Sequence, residues 1–224
     1  MKYLLLLISF TLLLTAGESN TTEEKLSTKH EKPLSVAEKK RRFFALVVPS
    51  AKKVYEELNH QFLVVKANMH YGIGRKEIEK LKKIYKVTSD KDLLLALKPH
   101  PVSITLAQAA MESAWGTSRF FKEANNLFGM WSRNPKDKRI AANEKRGGKH
   151  TIWLRKFDSV DESIREYYKT MGRAKAYKKF REYRYNTDDV FEIIKGLDHY
   201  SEIGEKYVQE IAALIRYNNL TQYD

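Results

Sequence analysis

One glutamate with few charged neighbours is the residue of this sequence best suited to acid chemistry. It is Glu112, in the stretch SITLAQAAMESAWGTSRFFKEANNLFGMW at residues 103–131. At about 100° per residue on a helix, it falls beside Gln108 and Trp115, beyond the edge of an apolar arc of Leu106, Ala107, Ala110, Met111 and Ala114. A carboxyl group next to tryptophan and aliphatic surface loses hydration, which raises its pKa. Glu112 could therefore hold a proton near neutral pH and donate it.

The elements that must position this carboxyl are predicted to be mainly helical. Apolar residues three and four apart indicate helices over residues 36–46, 51–66, 75–85 and 91–97, each ended by Pro, Gly or Asn. The helix that carries Glu112 is predicted over residues 104–115 and is closed by Gly116. A capping box of Ser159 and Glu162 begins another helix, and further helices are predicted over residues 174–183, 188–195 and 205–217.

A change of character between residues 134 and 158 predicts the one β-element. This segment is charged, contains Gly147 and Gly148, and ends in the alternating string HTIWLRKF. It reads as a loop followed by a β-hairpin. Helices interrupted by one small hairpin make an α+β fold that is mainly α.

The N-terminus has the layout of a secretory signal peptide. Residues 1–17 contain one lysine, an apolar run and then small residues, and the run is shorter than the roughly 20 residues that span a bilayer. Residues 18–34 show no apolar period and predict a flexible leader. The sequence has no cysteine, which excludes disulfides and a lipidated cysteine.

The charge of the chain implies an anionic partner. The formal net charge is +13, and removal of residues 1–17, whose one charged side chain is Lys2, leaves +12. An exported chain meets anionic lipid headgroups and the carboxylates of peptidoglycan rather than nucleic acid. Phosphate-binding glycine loops are absent, and no set of His, Asp and Glu has the spacing of metal ligands.

Several strings resemble the bacterial glucosaminidase domain of peptidoglycan hydrolases, and its Bax-type branch in particular. They are AQAAMESAWGTSRF, ANNLFGMW, RKFDSVDESIREYYKTM, AYKKFREYR and LDHYSEIGEKYVQEIAALIRYNNL, so the likeness covers roughly residues 95–220. The resemblance implies a lysozyme-like helical lobe with a small β-hairpin lobe, flanking a substrate groove. It also implies hydrolysis of β-1,4 bonds after N-acetylglucosamine, with Glu112 as the acid of the "ES" pair.

A second carboxylate is expected, because glycoside hydrolysis commonly uses one to activate water or to stabilise positive charge. The candidates are Asp137, Glu144 and Asp158. The family carries its second carboxylate in the hairpin lobe, and Glu144, 32 residues after Glu112, is the best match. Asp158 has a structural use at the turn before the next helix.

The predicted contacts with the substrate are aromatic and polar residues of the matching strings. Phe128, Trp131 and Tyr200 lie in or beside loops where a sugar face could stack, and Tyr200 matches a tyrosine that the family carries near its acid. The other predicted contacts are Ser113, Trp115, Asn126 and Tyr177.

The sequence thus predicts an exported endo-β-N-acetylglucosaminidase that acts on peptidoglycan strands without a cofactor. The alternatives are a lytic transglycosylase that uses Glu112 alone and a peptidoglycan-binding module without activity. We expect a monomer in the periplasm or cell wall, with peripheral contact to anionic membrane or wall polymers. Residues 98–224 form the predicted catalytic domain, and residues 35–97 form an N-terminal helical extension.

Overall fold

Helices make up most of the structure. The computed structural model describes residues 33–146 and 150–224, apart from the side chains of residues 143–146 and of His150. The predicted signal peptide and most of the predicted leader lie outside these residues. The α-helices are α1 (Val36–His70), α2 (Arg75–Tyr85), α3 (Asp90–Leu97), α4 (Val102–Glu112), α5 (Arg119–Ala124), α6 (Val160–Arg173), α7 (Lys178–Asn186), α8 (Val190–Ile193) and α9 (Glu205–Tyr217). Short 3-10 helices cover Lys175–Tyr177, Ile194–Leu197 and Leu220–Tyr223.

The first helix, α1, is continuous over 35 residues. The prediction of two helices, over residues 36–46 and 51–66, was wrong. Pro49 lacks a backbone N–H, so the helix loses one hydrogen bond, and an interior proline costs about 3 kcal/mol. Each large apolar side chain that is fully buried returns about 1.5–3 kcal/mol. The helix survives because its buried stripe continues past the proline, through Phe43, Val47, Ala51 and Val54.

The same helix joins two clusters of buried apolar side chains. Its first half packs in the larger cluster, together with residues of α4, α6 and α9. Its second half contributes Phe62 and Val65 to a smaller cluster, whose other members come mainly from α2 and α3. Both clusters are therefore attached to one rigid element.

Helix α4, which carries Glu112, is buried at every position from Val102 to Ala110. The sequence predicted a helix with one buried arc, and that prediction was too narrow. Its first turn is capped by the side chain of Asp224, which accepts hydrogen bonds from Ser103 N at 2.7 Å and Ser103 Oγ at 2.8 Å. A carboxyl group at this place also lies at the positive end of the helix. The cap and the surrounding core hold α4 in place, and they thereby fix the position of its last residue.

The predicted β-hairpin is present. Strands β1 (Arg139–Arg146) and β2 (His150–Arg155) pair antiparallel, and the pairing is irregular between Ala141 and Lys145. There β1 advances four residues while β2 advances two, which makes a bulge that bends the ladder. Trp131 forms an isolated bridge to β2, so the loop after α5 lies beside the hairpin.

The other helix predictions met different outcomes. The predicted bounds of α2 and α9 are confirmed. The helix predicted over residues 174–183 is divided into a 3-10 turn and α7, and the one predicted over residues 188–195 into α8 and a 3-10 turn. Mainly helical structure with one hairpin agrees with the predicted fold class. Among the described residues, no helix combines the length and apolarity needed to cross a membrane.

Candidate active site

Glu112 is the last residue of α4, three residues earlier than the predicted end of that helix. The chain then turns through three consecutive residues with positive φ, which are Ala114 (49°), Trp115 (58°) and Gly116 (72°). Left-handed backbone costs energy for residues other than glycine, so neighbouring contacts must hold this turn. The turn places Glu112 at the end of a buried helix, where only part of its side chain is covered.

The surroundings of Glu112 favour its protonated form. Burial raises the pKa of Glu112 from 4.5 to about 7, although a hydrogen bond from Tyr207 opposes the rise. Tyr207 Oη donates to Glu112 Oε1 at 3.0 Å. Burial also holds the pKa of Tyr207 well above its usual value, so its hydroxyl remains a donor. Near neutral pH the carboxyl group is therefore divided between its charged and neutral forms, as a general acid requires.

A chain of buried hydrogen bonds continues from Tyr207 into the core. Gln108 Nε2 donates to Tyr207 Oη at 3.0 Å. Tyr167 Oη donates to Gln108 Oε1 through a short hydrogen bond, and His100 Nε2 lies 3.1 Å from Tyr167 Oη. We call this set, His100–Tyr167–Gln108–Tyr207–Glu112, the hydrogen-bond chain. It links α4, α6 and α9 behind the carboxyl group.

The protons of the neighbouring hydroxyls define the direction of the chain. Tyr168 Oη donates to the His100 carbonyl oxygen at 3.1 Å, and Thr105 Oγ1 donates to Tyr168 Oη at 2.8 Å. Tyr167 gives its proton to Gln108, so His100 Nε2 must be the donor to Tyr167 Oη and to Thr105 Oγ1. Burial, and then the charge of Arg184, hold the pKa of His100 well below 6.5, which keeps its ring neutral. Every donor in the chain therefore points towards Glu112.

Sequence reasoning missed three members of this chain. His100, Tyr167 and Tyr207 were not among the predicted site residues. Tyr207 and Tyr167 are buried, at 0% and 2% exposure, but their hydroxyls make the bonds just described. A buried Tyr in place of Phe is itself a signal, because its hydroxyl needs a partner.

A groove with a volume of about 710 Å³ runs beside this network. Glu112 is not among its lining residues. The groove and the carboxyl group are connected by Tyr200, which lines the groove and stacks on Tyr207 with ring centroids 5.0 Å apart. Tyr167 belongs to both the groove wall and the hydrogen-bond chain.

Four predicted substrate contacts line the groove, namely Phe128, Trp131, Tyr177 and Tyr200. Trp131 is partly exposed, whereas Phe128, Tyr177 and Tyr200 are at most 3% exposed. One face of Phe128 is covered by Tyr167, with ring centroids 4.0 Å apart and nearly parallel. The buried rings therefore leave little surface on which a sugar could stack.

The side chains of Ser113 and Asn126 are used by the protein backbone. Ser113 Oγ donates to Ala109 O at 2.6 Å and accepts from Gly116 N at 2.9 Å, which ties the left-handed turn after Glu112. Asn126 Nδ2 donates to Met130 O and to a carbonyl oxygen of β2, and its Oδ1 accepts from Met130 N. Both side chains are buried, at 0% and 1% exposure. The structure places them as supports of the site.

Trp115 is not among the residues that line the groove. Its ring packs edge-to-face against Phe43 and Phe44 of α1, at 5.4 and 5.6 Å between centroids. Lys40 Nζ stands 4.8 Å from the centre of the same ring. Trp115 therefore attaches the turn after Glu112 to α1.

The candidate second carboxylates fall in different places. Glu144 lies in the irregular part of β1, and its side chain is outside the described residues. Asp137 lines the groove and accepts a hydrogen bond from Ser132 Oγ at 2.9 Å. Asp158 is exposed and pairs with Lys138 at 2.6 Å. Within the described side chains, no group of three or more His, Asp or Glu residues could hold a metal ion.

Comparison with known proteins defines the family. A glucosaminidase family model, described as mannosyl-glycoprotein endo-beta-N-acetylglucosaminidase, matches residues 93–220, and the chain therefore belongs to the glucosaminidase family of glycoside hydrolases. It is similar to Protein bax of Escherichia coli (strain K12), with 32% identity over 124 residues. That match covers 53% of this chain and 43% of Protein bax, so it spans less than half of that relative.

Solved structures with little sequence identity share the fold. The catalytic domain of the autolysin Auto from Listeria monocytogenes is 20% identical, with a TM-score of 0.55 over 90% of this chain and 100% of that domain. The glycoside hydrolase domain of FlgJ from Salmonella typhimurium is 16% identical, with a TM-score of 0.52 over 82% of this chain and 90% of that chain. These likenesses confirm the predicted lysozyme-like arrangement of a helical lobe and a small hairpin.

Proposed function

We propose that the chain is an endo-β-N-acetylglucosaminidase that cleaves β-1,4 bonds after N-acetylglucosamine in peptidoglycan, with Glu112 as its general acid. The observation that carries this proposal is the position of Glu112, half-buried at the end of α4 with a pKa of about 7. Membership of the glucosaminidase family supports the class of reaction. The relatives described as an autolysin and as a glycoside hydrolase domain support a cell-wall substrate.

The hydrogen bond from Tyr207 indicates which oxygen carries the catalytic proton. Glu112 Oε1 accepts from Tyr207 Oη, so the proton of the neutral acid resides on Oε2. From there it passes to the glycosidic oxygen as the bond between that oxygen and the anomeric carbon breaks. The carboxylate that remains keeps its hydrogen bond from Tyr207, which is stronger to a charged acceptor. Tyr207 thus limits the rise in the pKa of Glu112 without taking its proton.

Positive charge that develops at the anomeric carbon must be met by a nucleophile. We propose that Glu144 activates the water that adds there. It lies on β1, whose partner strand β2 contributes Arg155 to the groove lining, and bulges often occur next to active sites. If Glu144 does not activate the water, the N-acetyl group of the substrate can stabilise the positive charge at the same carbon. The alternative activity, that of a lytic transglycosylase, uses a hydroxyl of the sugar instead of water.

We further propose that the protein is exported and acts in the periplasm or cell wall. The proposal rests on residues 1–17, which have the composition of a signal peptide, and on the net charge of the chain, which suits an anionic wall. Sequencing the N-terminus of the protein recovered from cell fractions tests it. A full-length chain that stays in the cytoplasmic fraction would contradict export.

The catalytic proposal is tested with purified sacculi and the Glu112→Gln variant. The amide is nearly isosteric and can still accept from Tyr207, but it cannot donate the required proton, so activity should fall by a factor on the order of 10²–10⁴ or more. Mass spectrometry should find reducing N-acetylglucosamine ends among the wild-type products. Anhydro-muramyl ends would indicate a transglycosylase, and a variant with over a tenth of wild-type activity would exclude Glu112 as the acid.

A further inference from the structure

The groove contains more positive charge than a neutral sugar needs. Its lining includes five cationic side chains and two carboxylates, Asp137 and Glu166. Glu166 is occupied by Arg155 at 2.7 Å and by Lys169 at 3.1 Å. Burial alone would raise the pKa of Glu166, but these two partners hold it below its usual value, so Glu166 is charged. Arg155 therefore has its counter-ion.

Three of the remaining cations form no ion pair with any described carboxylate. They are Lys86, Arg173 and Lys175, and we call them the cationic end of the groove. Lys86 and Lys175 are exposed, and Arg173 is half-buried. Cations that stand together in a concave surface repel one another, and an anionic ligand removes that repulsion.

A close helix contact brings these residues together. Lys86 follows Tyr85 at the end of α2, and Arg173 follows Gly172 at the end of α6. A Cβ atom at Gly172 would lie 2.7 Å from both the Tyr85 ring and the Ala96 carbonyl oxygen, so α6 approaches α2 and α3 closely at this point. The left-handed conformation of Lys86, with φ of 58°, ends α2 there. The cluster is therefore built by the packing of two helices.

Lys86 also lies outside residues 93–220, which match the family model. The segment before the matched region thus contributes a residue to the groove lining.

We propose that the cationic end of the groove binds carboxylates of the peptides attached to the glycan strand, so that the protein prefers strands that carry peptides. The inference rests on the proposed function. N-acetylglucosamine is uncharged, and the peptides that branch from the strand carry free carboxylate groups. A strand without charged groups would leave all three cations without a partner.

The test compares three glycan substrates of equal chain length. The first carries its peptides, and the second carries peptides with amidated carboxylates. The third has had its peptides removed and the muramic-acid carboxylates that this exposes amidated. An exposed ion pair contributes up to about fivefold in affinity, so three should give a preference of roughly 10-fold to 100-fold. We expect kcat/KM to be higher by this factor for the first substrate than for the other two.

The preference is measured as the ratio of kcat/KM between the first and second substrates. The variant Lys86→Gln/Arg173→Gln/Lys175→Gln should lose at least about four-fifths of that preference. Lys76, Lys83 and Lys122 are exposed, lie outside the groove lining and form no described ion pair. The matched control Lys76→Gln/Lys83→Gln/Lys122→Gln removes the same charge and should keep the ratio. Thermal unfolding of both variants checks that they fold.

A binding measurement separates this inference from the proposed function. The Glu112→Gln variant, with and without the three groove substitutions, is titrated with each substrate, so that no turnover is needed. Charge-dependent binding without products from the wild type would support the cationic end and refute the hydrolase. Products from all three substrates at equal kcat/KM, with the ratio unchanged in the groove variant, would overturn the inference and leave the hydrolase intact.

Discussion

Replacing Tyr207 with Phe should move the alkaline limb of the activity profile to higher pH. The substitution keeps the ring that stacks on Tyr200 and removes the hydroxyl that donates to Glu112 Oε1 at 3.0 Å. That hydrogen bond stabilises the charged carboxylate, so its loss raises the pKa of Glu112 above its present value of about 7. An acid that must be protonated then remains competent to higher pH.

The size of the effect follows from the type of bond. A hydrogen bond to a charged group contributes about 1.5–3 kcal/mol, and 1.36 kcal/mol corresponds to a tenfold change in an acid constant. The alkaline limb of kcat/KM should therefore move up by about one to two pH units. Because kcat/KM reports the free enzyme, the shift can be compared directly with the structure without substrate.

The assay is the pH dependence of muropeptide release by the wild type and by Tyr207→Phe. Tyr71→Phe is the control, because Tyr71 is 72% exposed and distant in sequence from the site. The variant should also lose about 1–3 kcal/mol of stability, since Gln108 Nε2 loses its buried acceptor, so each rate is measured where the protein is folded. An alkaline limb that stays in place or moves to lower pH would refute the conclusion that the hydrogen bond from Tyr207 lowers the pKa of Glu112.

Three further predictions concern stability, catalysis and adhesion. Glu112 has a higher pKa in the folded protein, about 7 against 4.5, so its contribution to stability is complete below pH 4.5 and is lost as pH rises through 7. In denaturant titrations, the free energy of unfolding of the wild type should therefore fall by up to roughly 3 kcal/mol relative to that of Glu112→Gln between pH 4.5 and pH 8. If the free energies of unfolding of the two proteins changed in parallel with pH, the burial of this carboxyl would be contradicted. Glu144→Gln should change the free energy of unfolding by no more than about 0.5 kcal/mol but lower turnover steeply, and near-normal release of products would remove it from the mechanism. Binding to sacculi, measured as the fraction of protein that sediments with them, should weaken as the salt concentration rises, because the Debye length falls to about 3 Å at 1 M. Binding that does not depend on salt would instead be due to uncharged contacts.

Local sequence patterns predicted the elements whose ends are set locally. The bounds of α2 and α9 follow from apolar spacing and from the residues that stop each helix. The break expected near Pro49 did not occur, because the stripe on either side of it is buried by α4 and α6, which lie far along the chain. A proline signal is local, and the packing that outweighs it is not.

The same distinction applies to the candidate site. Glu112 could be singled out because its neighbours in sequence are small or apolar. Its partner Tyr207 lies 95 residues away, and Gln108 is 99 residues from Tyr207, so no short pattern could pair them. The groove contribution of Lys86 was likewise invisible, because it depends on how closely α6 approaches Tyr85.

The continuity of α1 limits how this sequence can diverge. Val54 belongs to the larger buried cluster and Phe62 to the smaller one, eight residues further along the same helix. One inserted residue between them would turn the smaller cluster by about 100° about the helix axis and advance it by about 1.5 Å. Tyr85 is part of that cluster, so Lys86 would be carried away from the groove with it. Homologues that retain a cation at this position should therefore differ in the middle of α1 by substitution, with insertions and deletions confined to the loops.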